Sequence, residues 1–124
     1  MAKELNAEVD DFEVCSPPLI HAKLGAELVK CWFGVKEGEI TSAIRYHTVG
    51  KLCMSDFEKI IFVADMCEEG RNFPGVDDIR KTAFFDLNKA CLMCIDATIR
   101  FNTDKNASIH PMAFAIKKEI EQNL

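Results

Sequence analysis

Three residues with metal-binding side chains lie at intervals along the first half of the chain: His21, His47 and Asp65. His47 ends an apolar helical stripe, and Asp65 lies inside the apolar run "IIFVADM". A buried carboxylate costs on the order of several kcal/mol unless it is paired or bound to a cation. Two neutral imidazoles and a carboxylate are ligand types that iron, manganese and zinc accept. Such a metal would lower the pKa of a bound water and bind a phosphoryl oxygen, which is hydrolytic chemistry.

Structural roles for the same residues stay open. A histidine on an apolar helix stripe commonly hydrogen-bonds a backbone carbonyl inside the core. Asp65 could simply pair with Arg45, Lys59 or Arg71. Spacing alone favours these structural roles over a metal site.

Basic residues cluster within or beside the segments that carry the three candidate ligands. Thr48 and Gly50, just after His47, could add a hydroxyl and a close backbone approach. In an acidic protein this clustering favours a local site for an anion such as polyphosphate. The alternative is that the basic residues are solvated partners of nearby carboxylates. His110, before Pro111, is expected to be structural. The cluster comprises Lys23, Arg45, Lys51, Arg71 and Arg80.

Composition limits the class of protein. The 124 residues are enough for one domain, and 48% of them are apolar and 28% charged, as in ordinary globular proteins. A net charge of −5 argues against sequence-independent binding of nucleic acid, which needs a basic face. No apolar run is long enough to span a membrane, and the N-terminus lacks the layout of a signal peptide. We therefore expect a cytoplasmic protein with reduced cysteines, in which "CLMC" packs in the core.

Apolar residues recur with the helical period and no useful strand alternation occurs, so we predict an all-α domain. The third helix should open with a Ser55–Glu58 capping box and be surrounded by protein, because it is apolar nearly all round. A loop should follow at "EEGRNFPGVDD" and a last short helix after "IHP". The first helix should run from about Leu19 to Phe33, with Leu24, Leu28 and Trp32 on one face. The second should lie between Gly38 and Gly50, with Ile40, Ala43, Ile44 and His47 inside. A long fourth helix should be capped by Asp77 or Asp78, with Ile79, Ala83, Leu87, Ala90, Cys94, Ala97 and Phe101 inside.

The strings "LIHAKLGAELV", "AIRYHTVGK", "MSDFEKIIFVADMCEEGR" and "FPGVDDIR" closely resemble the YqeK-type HD-domain hydrolases. The similarity continues through "DLNKA" to "IHP", so it covers nearly the whole chain from about Leu19 onward. The resemblance implies an HD-domain-like helical bundle, N-terminally truncated. Residues 19–124 would be the C-terminal part of this single domain, and residues 1–18 an acidic lead-in.

Members of this family are all-helical bacterial phosphohydrolases. The resemblance implies symmetrical hydrolysis of diadenosine tetraphosphate to two ADP, with iron as the metal, or manganese or zinc. The family motifs place metal ligands at His21, His47 and Asp65 of this sequence. They name no catalytic residue beyond these ligands. From charge and neighbourhood we add four candidate phosphate contacts: Arg45, Thr48, Lys51 and Arg71.

The family also carries a metal-binding histidine and its His-Asp pair upstream of the position matching His21, whereas this sequence has no histidine there. We therefore expect the remaining ligands to come from an upstream segment or a second polypeptide. Uncovered apolar helix faces, and a homo-oligomer that buries them, are further expectations. The alternative function is a non-catalytic helical remnant that binds a nucleotide or another protein.

Overall fold

The computed structural model describes residues 17–34 and 36–124, with side chains from residue 22 onward. This part of the chain contains six helices and no strand, which confirms the predicted all-α class. The acidic lead-in predicted for residues 1–18 falls almost wholly outside the described residues. The helices are α1 (Pro17–Phe33), α2 (Glu39–Tyr46), α3 (Asp56–Cys67), α4 (Val76–Ala83), α5 (Leu87–Asp104) and α6 (Pro111–Asn123).

Helix α5 is the centre of the bundle, because it packs against α3, α4 and α6. Helix α2 packs against α1 and α3. Within residues 17–34 and 36–124, no helix is both long and apolar enough to cross a bilayer. The main core comes from four helices, with Phe62 and Val63 on α3, Ile79 on α4, Ala90, Cys91, Cys94 and Ile95 on α5, and Ile116 and Ile120 on α6.

Side-chain caps fix where α3 and α6 begin. Ser55 Oγ accepts from the Glu58 amide at 3.2 Å, and Glu58 Oε1 accepts from the Ser55 amide at 3.0 Å, so the predicted capping box is confirmed. At the start of α6, His110 Nδ1 accepts from the Met112 amide at 3.0 Å. Pro111 follows at the first helical position, where its missing amide hydrogen costs nothing. His110 is thus structural, as predicted.

The prediction of one long fourth helix is wrong, because the chain turns between α4 and α5. The amides of Phe85 and Asp86 both donate to the Thr82 carbonyl and end α4. Asp86 Oδ1 then accepts from the Lys89 amide at 3.0 Å and starts α5. Phe84 and Phe85, at the turn, are 87% and 88% exposed.

The start of α4 also differs from the prediction. Gly75, in the left-handed conformation, is the N-cap, and it offers no side-chain hydrogen bond. Asp77 and Asp78 lie in the first turn, where their charge favours the positive end of the helix dipole without capping it.

One face of α3 is uncovered. Phe57, Ile60 and Ala64 lie at positions i, i+3 and i+7 and are all exposed, with Ile60 at 50%. We call these three residues the α3 stripe. The prediction that protein surrounds α3 is therefore wrong for the described part of the chain, whereas the expected uncovered apolar face is present. Two side chains predicted to lie inside, Ile40 and Phe101, are also exposed, as is Trp32 of α1.

The cysteines of "CLMC" are packed in the core, as predicted. Cys91 and Cys94 are fully buried on α5, and the Cys94 and Cys67 thiols are hydrogen-bonded between α5 and α3. Burial raises the pKa of Cys91 to about 11 and raises that of Cys94 further. Both groups are therefore neutral thiols that serve as small apolar side chains.

Candidate metal and phosphate site

His47 caps the C-terminal end of α2, and its ring is held by a backbone group. Its Nδ1 lies 2.6 Å from the Ile44 carbonyl oxygen. Because a carbonyl can only accept, Nδ1 is the donor in this bond, and in the neutral form of the ring the lone pair would be on Nε2. Metal-binding histidines are commonly oriented in this way. A core histidine makes the same bond, so this contact fits both roles considered from the sequence.

Asp65 lies near the end of α3, next to Ala64 of the α3 stripe. Its carboxylate is 34% exposed, which is more open than the apolar run around it predicts. Of the three partners considered from the sequence, the structure pairs it with Arg71, with Nη2 and Oδ2 3.6 Å apart. This ion pair is long, so the carboxylate keeps room for another ligand.

The turn after α3 folds Arg71 back toward Asp65. The Arg71 amide donates to the Glu68 carbonyl at 2.9 Å, and the Gly70 amide donates to Glu68 Oε2 at 2.9 Å. Arg71 Nε lies 3.8 Å from Glu68 Oε1. The Arg71 guanidinium therefore lies between two carboxylates and is 47% exposed.

Lys51 belongs to a separate polar network built around the buried carboxylate of Glu58. Glu58 Oε2 accepts from the Ser42 hydroxyl at 2.6 Å and pairs with Lys51 Nζ at 3.1 Å. Burial alone would raise the pKa of Glu58, but the hydrogen bonds from Ser42, Ser55 and Lys51 together lower it. The Lys51 ammonium also lies 5.1 Å from the centre of the Tyr46 ring.

Arg45 is held by two carboxylates on the α1 side of the structure. Its Nη1 and Nη2 donate to Glu37 at 2.6 and 2.9 Å, and Nη2 also donates to Glu27 at 3.0 Å. Lys30 pairs with the same two glutamates. Hydrogen bonds from Arg45 and then Lys30 hold the pKa of Glu37 far below its ordinary range. Arg45 and Lys51 are therefore in different networks, each with carboxylate partners.

Thr48 and Gly50 lie in the tight turn after His47. Gly50 has a φ of 82°, and a Cβ built there would lie 2.8 Å from Ile116 Cδ1. Only glycine fits this close approach of the turn to α6. Thr48 Oγ1 is buried and has no hydrogen-bond partner within the described residues. A buried hydroxyl without a partner costs about 1–3 kcal/mol, so this atom fits a ligand or water that completes its bonding.

Side chains of the kinds that bind metals are present, but those that the structure describes do not form a complete metal site. Among residues 22–34 and 36–124, no three His, Cys, Asp or Glu side chains are grouped to hold a metal ion. The third predicted ligand, His21, lies in α1, and its side chain is outside the described part. His47 and Asp65 have the donor types that a divalent metal accepts, and further ligands would be needed to complete its shell.

Two residues that organise this region were not assigned these roles from the sequence. Glu58 was recognised only as a cap, and its link to Ser42 joins residues 16 positions apart, which no local pattern reveals. Arg80 was grouped with the anion-binding cations, whereas its guanidinium donates to backbone carbonyls of Cys67, Glu68 and Arg71. The "DDIR" string identified Arg80 as part of a motif, but it did not indicate that the guanidinium hydrogen-bonds backbone carbonyls.

Comparison with known proteins gives similarity over most of the chain. No family model matches it. It is 46% identical over 99 residues to the symmetrical bis(5'-nucleosyl)-tetraphosphatase of Bacillus subtilis (strain 168), covering 80% of this chain and 53% of the relative. It is 41% identical over 102 residues to the protein of the same name from Halalkalibacterium halodurans, covering 82% and 54%. The chain thus spans about half the length of the curated relatives it matches.

The fold is also similar to a solved structure. A crystal structure from Clostridium acetobutylicum, described as a predicted HD superfamily hydrolase involved in NAD metabolism, superposes with a TM-score of 0.91 at 36% identity. The match covers 99% of this chain and 65% of that chain.

Proposed function

Because this chain belongs to the YqeK-type hydrolases of the HD superfamily, we propose that it carries part of the site of a metal-dependent phosphohydrolase. The proposed reaction is symmetrical hydrolysis of diadenosine tetraphosphate to two ADP. The observation that carries the proposal is the 46% identity to a relative named for symmetrical tetraphosphatase activity. The Asp65–Arg71 pair supports it, because it places an acidic metal-ligand type beside an exposed cation.

In this proposal His21, His47 and Asp65 would hold the metal, with the remaining ligands supplied by another segment or polypeptide. A divalent metal, with iron as the first choice and manganese or zinc as alternatives, polarises a phosphoryl oxygen and lowers the pKa of water. The bond from His47 Nδ1 to the Ile44 carbonyl fixes which ring nitrogen presents its lone pair. The Asp65 carboxylate would supply an oxygen ligand beside the Arg71 guanidinium.

The phosphate contacts differ in how readily each could bind the substrate. Arg71 is the strongest candidate, since it is half exposed and its two ion pairs, at 3.6 and 3.8 Å, are long. Thr48 offers a buried hydroxyl that lacks a partner in the described residues. Arg45 and Lys51 would have to exchange short carboxylate contacts for phosphate contacts, at a cost in desolvation. In a chain with a net charge of −5, Arg71 and Thr48 are the preferred contacts for a polyphosphate.

The second candidate function is a non-catalytic module that binds a nucleotide or another protein. It is favoured by the exposed α3 stripe and by the absence of a three-ligand group among the residues described. In that case the basic residues would bind a nucleoside diphosphate without cleaving it.

The experiment that tests the proposal measures metal content and ADP release on the purified chain. The protein is loaded anaerobically with Fe²⁺ or with Mn²⁺, desalted and analysed for bound metal. It is then incubated with diadenosine tetraphosphate, and nucleotides are separated by chromatography. Asp65→Asn removes the ligand charge without changing shape, and Asp104→Asn, at an exposed position on α5, is the matched control.

Because the chain holds only part of the ligand set, the expected result is substoichiometric metal with weak ADP release, which Asp65→Asn abolishes and Asp104→Asn preserves. ADP binding without turnover, unaffected by Asp65→Asn, would favour the second candidate. The absence of metal, turnover and nucleotide binding would contradict both functions for this chain on its own.

A further inference from the structure

Arg80 uses its guanidinium almost entirely on the backbone of the segment that follows α3. Nε donates to the Cys67 carbonyl at 2.9 Å. Nη2 donates to two carbonyls, those of Glu68 at 2.9 Å and Arg71 at 2.8 Å. Nη1 donates to Asp77 Oδ1 at 2.9 Å. Four good hydrogen bonds from one side chain leave it little capacity to bind a solution anion.

The three carbonyls lie on both sides of the turn that carries Arg71. Cys67 is the last residue of α3 and Glu68 is its C-cap, so their carbonyls are among those that lack partners within the helix. A cation at this end also complements the helix dipole. The Arg71 carbonyl lies on the far side of the turn. Arg80 therefore fastens the end of α3 to the loop, while Asp77 holds the guanidinium from α4.

The four hydrogen bonds of Arg80, which we call the clamp, fix the distance between the Asp65 carboxylate and the Arg71 guanidinium. Asp65 is placed by α3, and Arg71 is placed by the loop. Their side chains meet at 3.6 Å because the loop turns back at Glu68. Arg80 contacts the backbone of both halves, and none of its four hydrogen bonds reaches the Asp65 carboxylate or the Arg71 guanidinium. Its effect on the pair would act through the backbone alone.

We propose that Arg80 is a positioning residue, which sets Arg71 relative to Asp65 so that the Arg71 guanidinium is held ready for a phosphate group. The proposal rests on the proposed function and deepens it, since it assigns the geometry of the phosphate contact to a residue that binds no phosphate.

Only arginine can perform this role at position 80. Its planar fork directs several donors at separate acceptors, whereas the lysine ammonium is one nitrogen and cannot reach three carbonyls and a carboxylate together. Arg80→Lys therefore keeps the charge and removes most of the clamp. Arg100→Lys, at an exposed position on α5, is the matched control.

The first measurement needs no ligand. Hydrogen exchange is followed at the amides of Gly70 and Arg71, which donate to Glu68 in the turn. We expect Arg80→Lys to speed their exchange by about tenfold or more, because the turn opens locally without the clamp. Arg100→Lys should leave both rates unchanged. Equal rates in Arg80→Lys and wild type would overturn the proposal.

The second measurement is an ADP titration of four proteins: wild type, Arg71→Gln, Arg80→Lys and the double variant. If Arg80 acts through Arg71, Arg80→Lys weakens ADP binding by roughly five- to tenfold alone and by almost nothing in the Arg71→Gln background. Independent effects that multiply in the double variant would overturn the proposal, since they indicate a general loss of structure. If wild type binds no ADP, the proposed function fails for this chain, and the exchange rates alone decide whether Arg80 positions the turn.

Discussion

The Ser42 hydroxyl donates to the Glu58 carboxylate at 2.6 Å, and this bond joins α2 to the first turn of α3. The same carboxylate receives Lys51 from the loop between them. The turn that carries His47 and Thr48 is thus held at both ends by one buried acid. Because that acid is ionised, its hold on the turn depends on pH.

We predict that Glu58→Gln changes how stability responds to acid. The folded state holds the pKa of Glu58 below its ordinary value of 4.5, so its contribution is present above that value and is lost as the pH falls through the folded pKa. Glu58→Gln should lower the free energy of unfolding at neutral pH by about 1–3 kcal/mol. Its deficit relative to wild type should shrink on acidification below about pH 5. Urea unfolding across this range measures both, and a constant deficit at every pH would contradict the prediction.

Gly50→Ala should destabilise the chain more than Gly75→Ala. Both positions have a positive φ, so both substitutions carry backbone strain of about 1–2 kcal/mol. Only the added methyl at position 50 meets a neighbour, Ile116 Cδ1 at 2.8 Å, whereas nothing lies within 4 Å at position 75. Overpacking should add about 1–3 kcal/mol at position 50. Thermal unfolding of the two variants isolates the clash, and equal losses would mean that Ile116 moves aside.

Thr48→Val tests whether the buried hydroxyl belongs to a ligand site. Its Oγ1 has no partner in the described residues, so removing it should leave the free energy of unfolding unchanged or raise it by up to about 1 kcal/mol. Pyrophosphate or ADP binding should weaken severalfold if the hydroxyl contacts phosphate. Thr41→Val is the control, since the buried Thr41 hydroxyl bonds Glu37 and Gly38 and its loss should destabilise the fold. Loss of stability in Thr48→Val with unchanged ligand binding would refute the role.

Ile60→Lys should reduce any self-association of the chain. Ile60 is the centre of the α3 stripe, and burying such a stripe favours association by roughly 25 cal/mol per Å² of apolar surface. Thr103→Lys adds the same charge at an exposed position on α5 and is the control. Sedimentation velocity over a range of concentrations distinguishes them. Identical association in both variants would mean that another surface, or none, mediates it.

The sequence predicted those parts of the fold that local chemistry determines. The capping box of α3 was found because Ser55 and Glu58 lie three positions apart, whereas His110 was expected only to be structural and its N-cap bond to Met112 was not predicted. The break at Asp86 was missed because Phe84 and Phe85 continue the apolar pattern, although both side chains point outward. The only local signal for the break was the N-cap aspartate itself.

The candidate site was harder to predict, because its partners are brought together by folding. A cluster of cations along the sequence suggested one anion site, but the fold places Arg45 against Glu27 and Glu37, and Lys51 against Glu58. The Asp65–Arg71 pair was among the partners considered, and the turn after α3 brings Arg71 back to Asp65. The metal and phosphate roles of these residues stay predictions.

Because some cysteines are exposed and others are buried, their alkylation rates can be used to measure helix motion. Cys31 and Cys53 are exposed, so an alkylating reagent reaches them at once, whereas Cys91 and Cys94 are sealed between α5 and its neighbours. Their high pKa values slow the reaction further, because the thiolate is the reactive species. The rate at which Cys94 becomes alkylated therefore reports how often α3 and α5 separate, and no substitution in the chain is needed to measure it. The motion of the helix that carries Asp65 can thus be timed by mass spectrometry on the unmodified chain.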